Sequence, residues 1–393
     1  MKKLYFSLFL FVAILQGVFS QNLRLSVYSE VSILTAGPGN ELFETFGHSA
    51  IRVKDPVLKM DYVFNYGVFD FNQPNFYSNF AQGRLEYFLG VSHFNRFVEI
   101  YRKDQRWMKE QILELTTDEK NIIFNFLRNN AQPENAVYLY DQYFDNCSTK
   151  LRDITQDILA KKSKLSDAYT EEDLTLRKLM NRELPWNTWG SFGINLALGT
   201  KLDQKIGYEA YMYLPDYLYL SFKDAKKIEN GVSKPLVKKE VVILDFKEEK
   251  PALSWLNPIF VLSLLLLLTI IITYKDIKRS KNSKWLDFLI LFVTCLIGVL
   301  IVFLWFFTDH KTTPNNFNIL WAFAPNLIVA FFLLKKNTPN WISTYLKICL
   351  LLIVVLFVLW ILGVQLFSLA ILPLIGILIV RYWYLSRLLT SKE

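Results

Sequence analysis

Residues 138–159, YLYDQYFDNCSTKLRDITQDIL, decide how the rest of the chain is read. They set Cys147 where a strand-like run, AVYLYDQYF (136–144), gives way to an amphipathic run, STKLRDITQDIL (148–159). Asp145 and Asn146 are good helix N-cap residues, so the second run is expected to be a helix with Cys147 at its mouth. A thiol in a first turn meets unpaired backbone N–H groups and the positive end of the helix dipole, both of which favour thiolate. Such placements lower a cysteine pKa from about 8.5 to between ~3.5 and ~7.5. The same N–H groups could hold an oxyanion when the thiolate adds to a carbonyl. The alternative is that Cys147 is a small buried hydrophobe.

About a hundred residues earlier, ETFGHSAIRV (44–53) puts His48 after Gly47 at the head of an expected strand, a rigid mount for a general base. Before the apolar C-terminal third there is one other histidine, His93, which opens an amphipathic run and is read as structural.

The ends of the chain place this pair in space. MKKLYFSLFLFVAILQGVFSQ has two lysines, an apolar run and small residues, so 1–20 reads as a secretory signal, with a first membrane helix as the alternative. From Pro258 onward apolar segments follow at 258–274, 285–307, 317–334, 342–362 and 365–383, most near the roughly 20 residues that span a bilayer. Four or five spans are possible, and loop charges favour five. KDIKRSKNSK carries five basic residues, KKNTPN two and RYWYLSRLLTSKE three, whereas TDHKTTPNNFN has one lysine. Positive-inside counting puts the first three in the cytoplasm, and residues 21–254 and the Asp309–His310 loop outside. The net charge of +8 therefore implies no nucleic acid. Of three cysteines, Cys295 and Cys349 fall in apolar segments, so there is no disulfide framework.

Residues 21–254 suit one α+β domain. SVYSEVSILTAGPG, SAIRV and DYVFNYGVFDF read as strands, the last two as an antiparallel pair. HFNRFVEIYRKDQRWMKEQIL has helical spacing throughout, and TTDEKNIIFNFLRNN is a helix with a threonine cap. The lysine-rich stretch 222–250 reads as a strand pair or linker. There is no glycine-rich phosphate loop and no HxxEH spacing, so neither cofactor nor metal is implied.

A histidine heading a strand, a polar residue on the next strand and a cysteine at a helix N-terminus resemble the circularly permuted papain-like arrangement of NlpC-type and lecithin–retinol acyltransferase-like enzymes. More closely, FGHSAIRV, FNYGVFDF, YFDNCSTKLRDI, WGSFGINLALGTKLD, YMYLPDYL and the outer-loop stretch TDHKTTPNNFNILWAFAPN resemble Lnb-type lipoprotein N-acyltransferases over nearly the whole mature chain. The resemblance implies Cys147 as nucleophile and His48 as base. The third position should lie on the strand after His48: Asn65 is the candidate, with Asp70 next. It also implies a phospholipid acyl donor, a diacylated lipoprotein acceptor and an inner-membrane protein with its catalytic domain in the periplasm. The domains are then a signal (1–20), a periplasmic domain (21–254), a membrane domain of about five helices (255–383) and a cytoplasmic tail (384–393). Asp70 and His310 are candidates for substrate binding, His310 for headgroups. The same dyad could serve a peptidase or amidase of the cell envelope, and a broken dyad would leave a membrane scaffold.

Overall fold

The computed structural model describes residues 23–159, 163–171, 174–229, 231–248 and 254–390, so the expected signal segment lies outside it. In chain order the first part holds strands β1 (Glu30–Ala36), β2 (His48–Asp55) and β3 (Met60–Val68), helix α1 (Phe76–Gln82), β4 (Glu86–His93), α2 (Phe94–Lys103), β5 (Met108–Leu113), α3 (Thr117–Asn130), β6 (Val137–Leu139) and α4 (Cys147–Leu159). Then come β7 (Ser163–Lys164), α5 (Leu176–Glu183), α6 (Trp189–Ala197), α7 (Pro215–Lys223), β8 (Lys226–Glu229), β9 (Val232–Pro235) and β10 (Val237–Leu244).

Seven strands form an antiparallel sheet in the order β10-β5-β1-β2-β3-β4-β6. Alternation along β1 explains its layers. Val31 and Ile33 point into a core shared with Leu127 of α3, Leu151 of α4 and Phe222 of α7. Leu34 and Ala36 point the other way, beneath Phe97 and Tyr101 of α2. At the start of α3, Thr116 and Glu119 form a capping box. Arg52 ties β2 to β3 and β5 through Asp61 at 2.7 Å and Glu110 at 3.0 Å, which makes it a structural charge.

Two elements differ from the sequence reading. The helix expected to run through RWMKEQIL stops at Lys103, and 108–113 is strand β5. Glu110 and Gln111 are buried there, Glu110 as the partner of Arg52, so two polar letters concealed a core strand. The lysine-rich stretch supplies three strands: the β8–β9 hairpin and β10, an edge of the main sheet.

The second part holds α8 (Pro258–Arg279), α9 (Lys284–Phe306), α10 (Asn326–Leu334), α11 (Trp341–Ile361) and α12 (Ile371–Thr390). Among the described residues, four of these are long and apolar enough to cross a membrane. The third apolar segment is not one helix. It starts as a short 3-10 turn, Phe317–Leu320, and regains helix only in α10, which at nine residues rises about 14 Å. Its polar side chains are satisfied within the bundle: Asn326 donates to Thr294 Oγ1 at 2.8 Å and accepts from Tyr345 OH at 2.5 Å. Non-helical backbone at such depth is tolerated where protein surrounds it. The last helix runs on to Thr390 through residues expected to form a tail, and Arg381 is buried between Asp276 (2.9 Å) and Asp287 (2.6 Å).

The two parts are joined at one end of the bundle. Gly199 N–H donates to Thr312 O at 2.8 Å, Asn316 Nδ2 to Leu196 O at 2.7 Å, and Leu366 N–H to Asp203 Oδ1 at 3.2 Å.

Candidate functional site

Two turns deliver His48 and Asn65 to one place. Gly47, at φ 74°, lets the chain enter β2 where a side chain would press to 2.8 Å from Ala36 O. On the next strand the β3–β4 ladder shifts register between Asn65 and Val68, and Gly67 takes φ 90° inside that bulge. Bulges re-aim side chains in this way. The outcome is a hydrogen bond in which His48 Nε2–H donates to Asn65 Oδ1 at 2.5 Å. With Nε2 occupied, Nδ1 is the nitrogen left for the thiol.

Cys147 is the first residue of α4, as its neighbours dictate. Asn146 caps the helix, its Oδ1 accepting from Ser148 N–H and Thr149 N–H, both at 2.9 Å. The Asn146 amide is itself anchored to Gln142 O and Tyr213 O, each at 2.8 Å. Ser148 Oγ donates to Ser49 Oγ at 3.1 Å, pinning the helix start to the residue after His48. This changes the oxyanion expectation. The cap consumes two of the first-turn N–H groups, so of residues 147–149 only the Cys147 N–H is left for a ligand.

Electrostatics pull the pair toward charge. Burial of Cys147 opposes ionisation, but neighbouring His48, by charge and hydrogen bond, with the Ser49 N–H and the Ser148 hydroxyl, holds the thiol below its usual value. Burial likewise opposes an imidazolium. The Cys147 charge and hydrogen bonds to Cys147 and Asn65 outweigh it, and outweigh the repulsion of Arg106, so His48 sits above its usual value. Both shifts favour a thiolate–imidazolium pair.

The pair opens into a cavity of about 640 Å³. His48, Asn65, Arg106, Gln142 and Asn146 supply polar groups near Cys147, and most of the remaining lining is aromatic. Arg106 is held by Gly37 O at 2.8 Å and Glu44 at 3.2 Å. Neither Arg106 nor Gln142 stood out in the sequence. The only signal for Gln142 was its place five residues before the cysteine; Arg106 gave none.

The other candidates lie elsewhere. Asp70 accepts from the Asn72 backbone and side chain in the turn after β3 and does not line the cavity. His310 packs against Gly83 at the end of α1, outside the cavity. His93 stacks on Tyr62 at 4.6 Å, as a structural residue would. Asp145 pairs with Lys150 at 2.8 Å.

An α+β domain carrying a cysteine–histidine–asparagine cluster, joined to membrane-length helices, defines a class of membrane-anchored protein with a thiol site outside its helical part. The chain matches the Lnb N-terminal periplasmic domain over residues 20–189 and the Lnb transmembrane domain over residues 248–393. It belongs to the Lnb family. No curated protein and no solved structure matches it. Membership gives the chain a lipoprotein N-acyltransferase-type role in general, and a periplasmic N-terminal domain anchored by apolar helices.

Proposed function

We propose that the protein moves an acyl chain from a phospholipid, through a thioester on Cys147, to the N-terminal amine of a diacylglyceryl-modified lipoprotein. The observation that carries this reading is the thiol paired with His48, itself oriented by Asn65, at the polar end of an aromatic cavity.

His48 takes the thiol proton, and the thiolate adds to the donor's ester carbonyl. The Cys147 N–H donates to the developing oxyanion, with Gln142, a residue of the cavity lining, as second donor. The C–O bond breaks, His48 returns the proton to the leaving oxygen, and a lysophospholipid departs. The lipoprotein's α-amine then attacks the thioester, His48 accepts its proton, and the thiol is restored as the amide forms. Asn65 holds the imidazole by its Nε2–H throughout. Donor and acceptor both reside in the outer leaflet of the inner membrane, which suits a site joined to the outer end of the bundle. With water as acceptor the same groups would make a hydrolase; the aromatic lining supports a lipid substrate over a peptide.

The test is mass spectrometry of a lipoprotein's N-terminal peptide from cells with and without this protein. The N-acylated form should be present only with it. Equal N-acylation in both would end this reading.

A further inference from the structure

The cavity lining holds far more aromatic surface than the chemistry at Cys147 needs, and ring contacts give that surface an order. A side chain at Gly67 would stand 3.8 Å from Cys147 Cβ and 3.4 Å from the Tyr140 ring, so Tyr140 is a ring beside the nucleophile. Tyr140 stacks on Tyr87 at 4.1 Å, and Tyr87 lies 5.2 Å from Phe69. Phe69 in turn meets Phe71 at 4.9 Å and Phe76 at 6.1 Å. A continuous wall of rings thus runs from the thiol to α1. Its two phenols stay neutral, since burial pushes both above the usual tyrosine value. Apart from the reacting pair, the charged side chains of the described lining, Arg106 and Glu44, pair with each other near His48.

The far end of this wall faces outward. Phe71, Tyr77 and Phe80 are 53%, 77% and 51% exposed, a cluster that water would not favour. That end is fixed to the membrane part. Asp309 N–H donates to Gln82 O at 2.8 Å, and Arg84 pairs with Asp309 at 2.5 Å. On the opposite side, Leu42 packs against Gly190, and Trp189 Nε1 donates to Leu256 O at 2.7 Å, two residues before α8 begins. Both walls of the mouth are therefore tied to the ends of membrane-length helices, which is where a bilayer interface falls. At ~30 Å³ for a water-sized unit, the cavity holds on the order of twenty methylene-sized groups. That is room for one fatty chain.

We infer that the Tyr140–Tyr87–Phe69–Phe76 wall is the binding site for the single acyl chain being transferred, entering from the bilayer past α1, and that Phe69 and Phe76 set the chain length accepted. This rests on the acyl-transfer reading above. Each methylene kept from apolar burial changes binding about fourfold, so ring size near the far end becomes length preference.

The experiment uses the full-length protein in vesicles containing equal amounts of phospholipids with short, medium and long saturated chains. The chain distribution on Cys147 is read by mass spectrometry. Phe76→Trp should move the long-to-short ratio toward short chains by at least about fivefold. Phe69→Ala and Phe76→Ala should move it toward long chains. The ratio is internal to each sample, so a partly unfolded variant does not distort it. If wild-type Cys147 is acylated and none of the three variants moves the distribution, the chain site is wrong while acyl transfer stands. If wild-type Cys147 takes no chain from any lipid, the transfer reading falls and this inference falls with it.

Discussion

Two buried polar clusters in this chain use the same kinds of hydrogen bond and end in opposite states. Around Arg177 every guanidinium nitrogen has an acceptor. Its Nε donates to both Asp203 oxygens at 2.9 and 3.0 Å, Nη1 reaches Asn195 at 3.2 Å, and Nη2 reaches Leu198 O and Gly199 O at 3.0 and 2.8 Å. Around Cys147 the scaffold is held in the same way, by Asn146, Ser148, Ser49 and Asn65, but it leaves the reacting pair at a cavity wall. The thiol and the imidazole open onto the cavity. The first cluster holds two parts of the molecule together; the second holds a nucleophile ready. What separates a structural network from a reactive one is the pair left open to a cavity at the end of a fixed frame.

The comparison breaks most visibly at the reacting atoms. Cys147→Ala should abolish lipoprotein N-acylation, and His48→Ala should reduce it by about 10²–10⁴-fold, while both proteins still accumulate in the membrane. Activity assays beside immunoblots of membrane fractions check this, and wild-type activity in Cys147→Ala would equate the two clusters. Next comes the structural network. Arg177→Ala strands the buried Asp203 carboxylate and should destabilise the fold by roughly 3–5 kcal/mol, measured as thermal unfolding in detergent. An unchanged midpoint would mean the network is not closed.

A smaller effect reports on charge. Because Cys147 is held below the usual thiol value by His48, its alkylation by iodoacetamide should begin at lower pH than that of a free thiol. Removing His48 leaves burial to dominate, so in His48→Ala the onset should move to higher pH. An onset that stays put would show that the imidazole does not share the charge. Smaller again, Asn65→Ala removes one hydrogen bond to the imidazole and should lower turnover by about 2–10-fold, chiefly in kcat. Cys295→Ala, inside α9, should leave turnover unchanged, and any loss would bring a membrane thiol into the account.

The sequence makes the frame of the site readable because its parts are local. A cap before Cys147, a glycine before His48 and a polar residue on the following strand are each short-range features, and the structure brings Cys147, His48 and Asn65 together. The capping box of α3 is legible for the same reason. Features that depend on distant partners are not. Glu110 looks like a surface residue until Arg52 is placed opposite it, so β5 reads as helix. Asn326 is diluted within an apolar window, so nothing in the sequence marks the break between the 3-10 turn and α10. The Tyr140–Tyr87–Phe69 wall joins three separate stretches of chain, and spacing along any one of them does not reveal it. Arg381, counted with the loop charges, needs Asp276 and Asp287 from two other helices to show that it is buried.

The central claim is a thioester on Cys147 that waits for an amine. Purified full-length protein is given labelled phospholipid alone, then a diacylated lipopeptide with a free amino terminus, with an N-acetylated lipopeptide as control. The account predicts a hydroxylamine-sensitive label on Cys147 with little free fatty acid released, since a positioned amine outcompetes excluded water. The free lipopeptide should discharge that label into an amide, and the acetylated one should not. Absence of the adduct, with cleavage of peptidoglycan fragments instead, would contradict the account and make the protein a hydrolase.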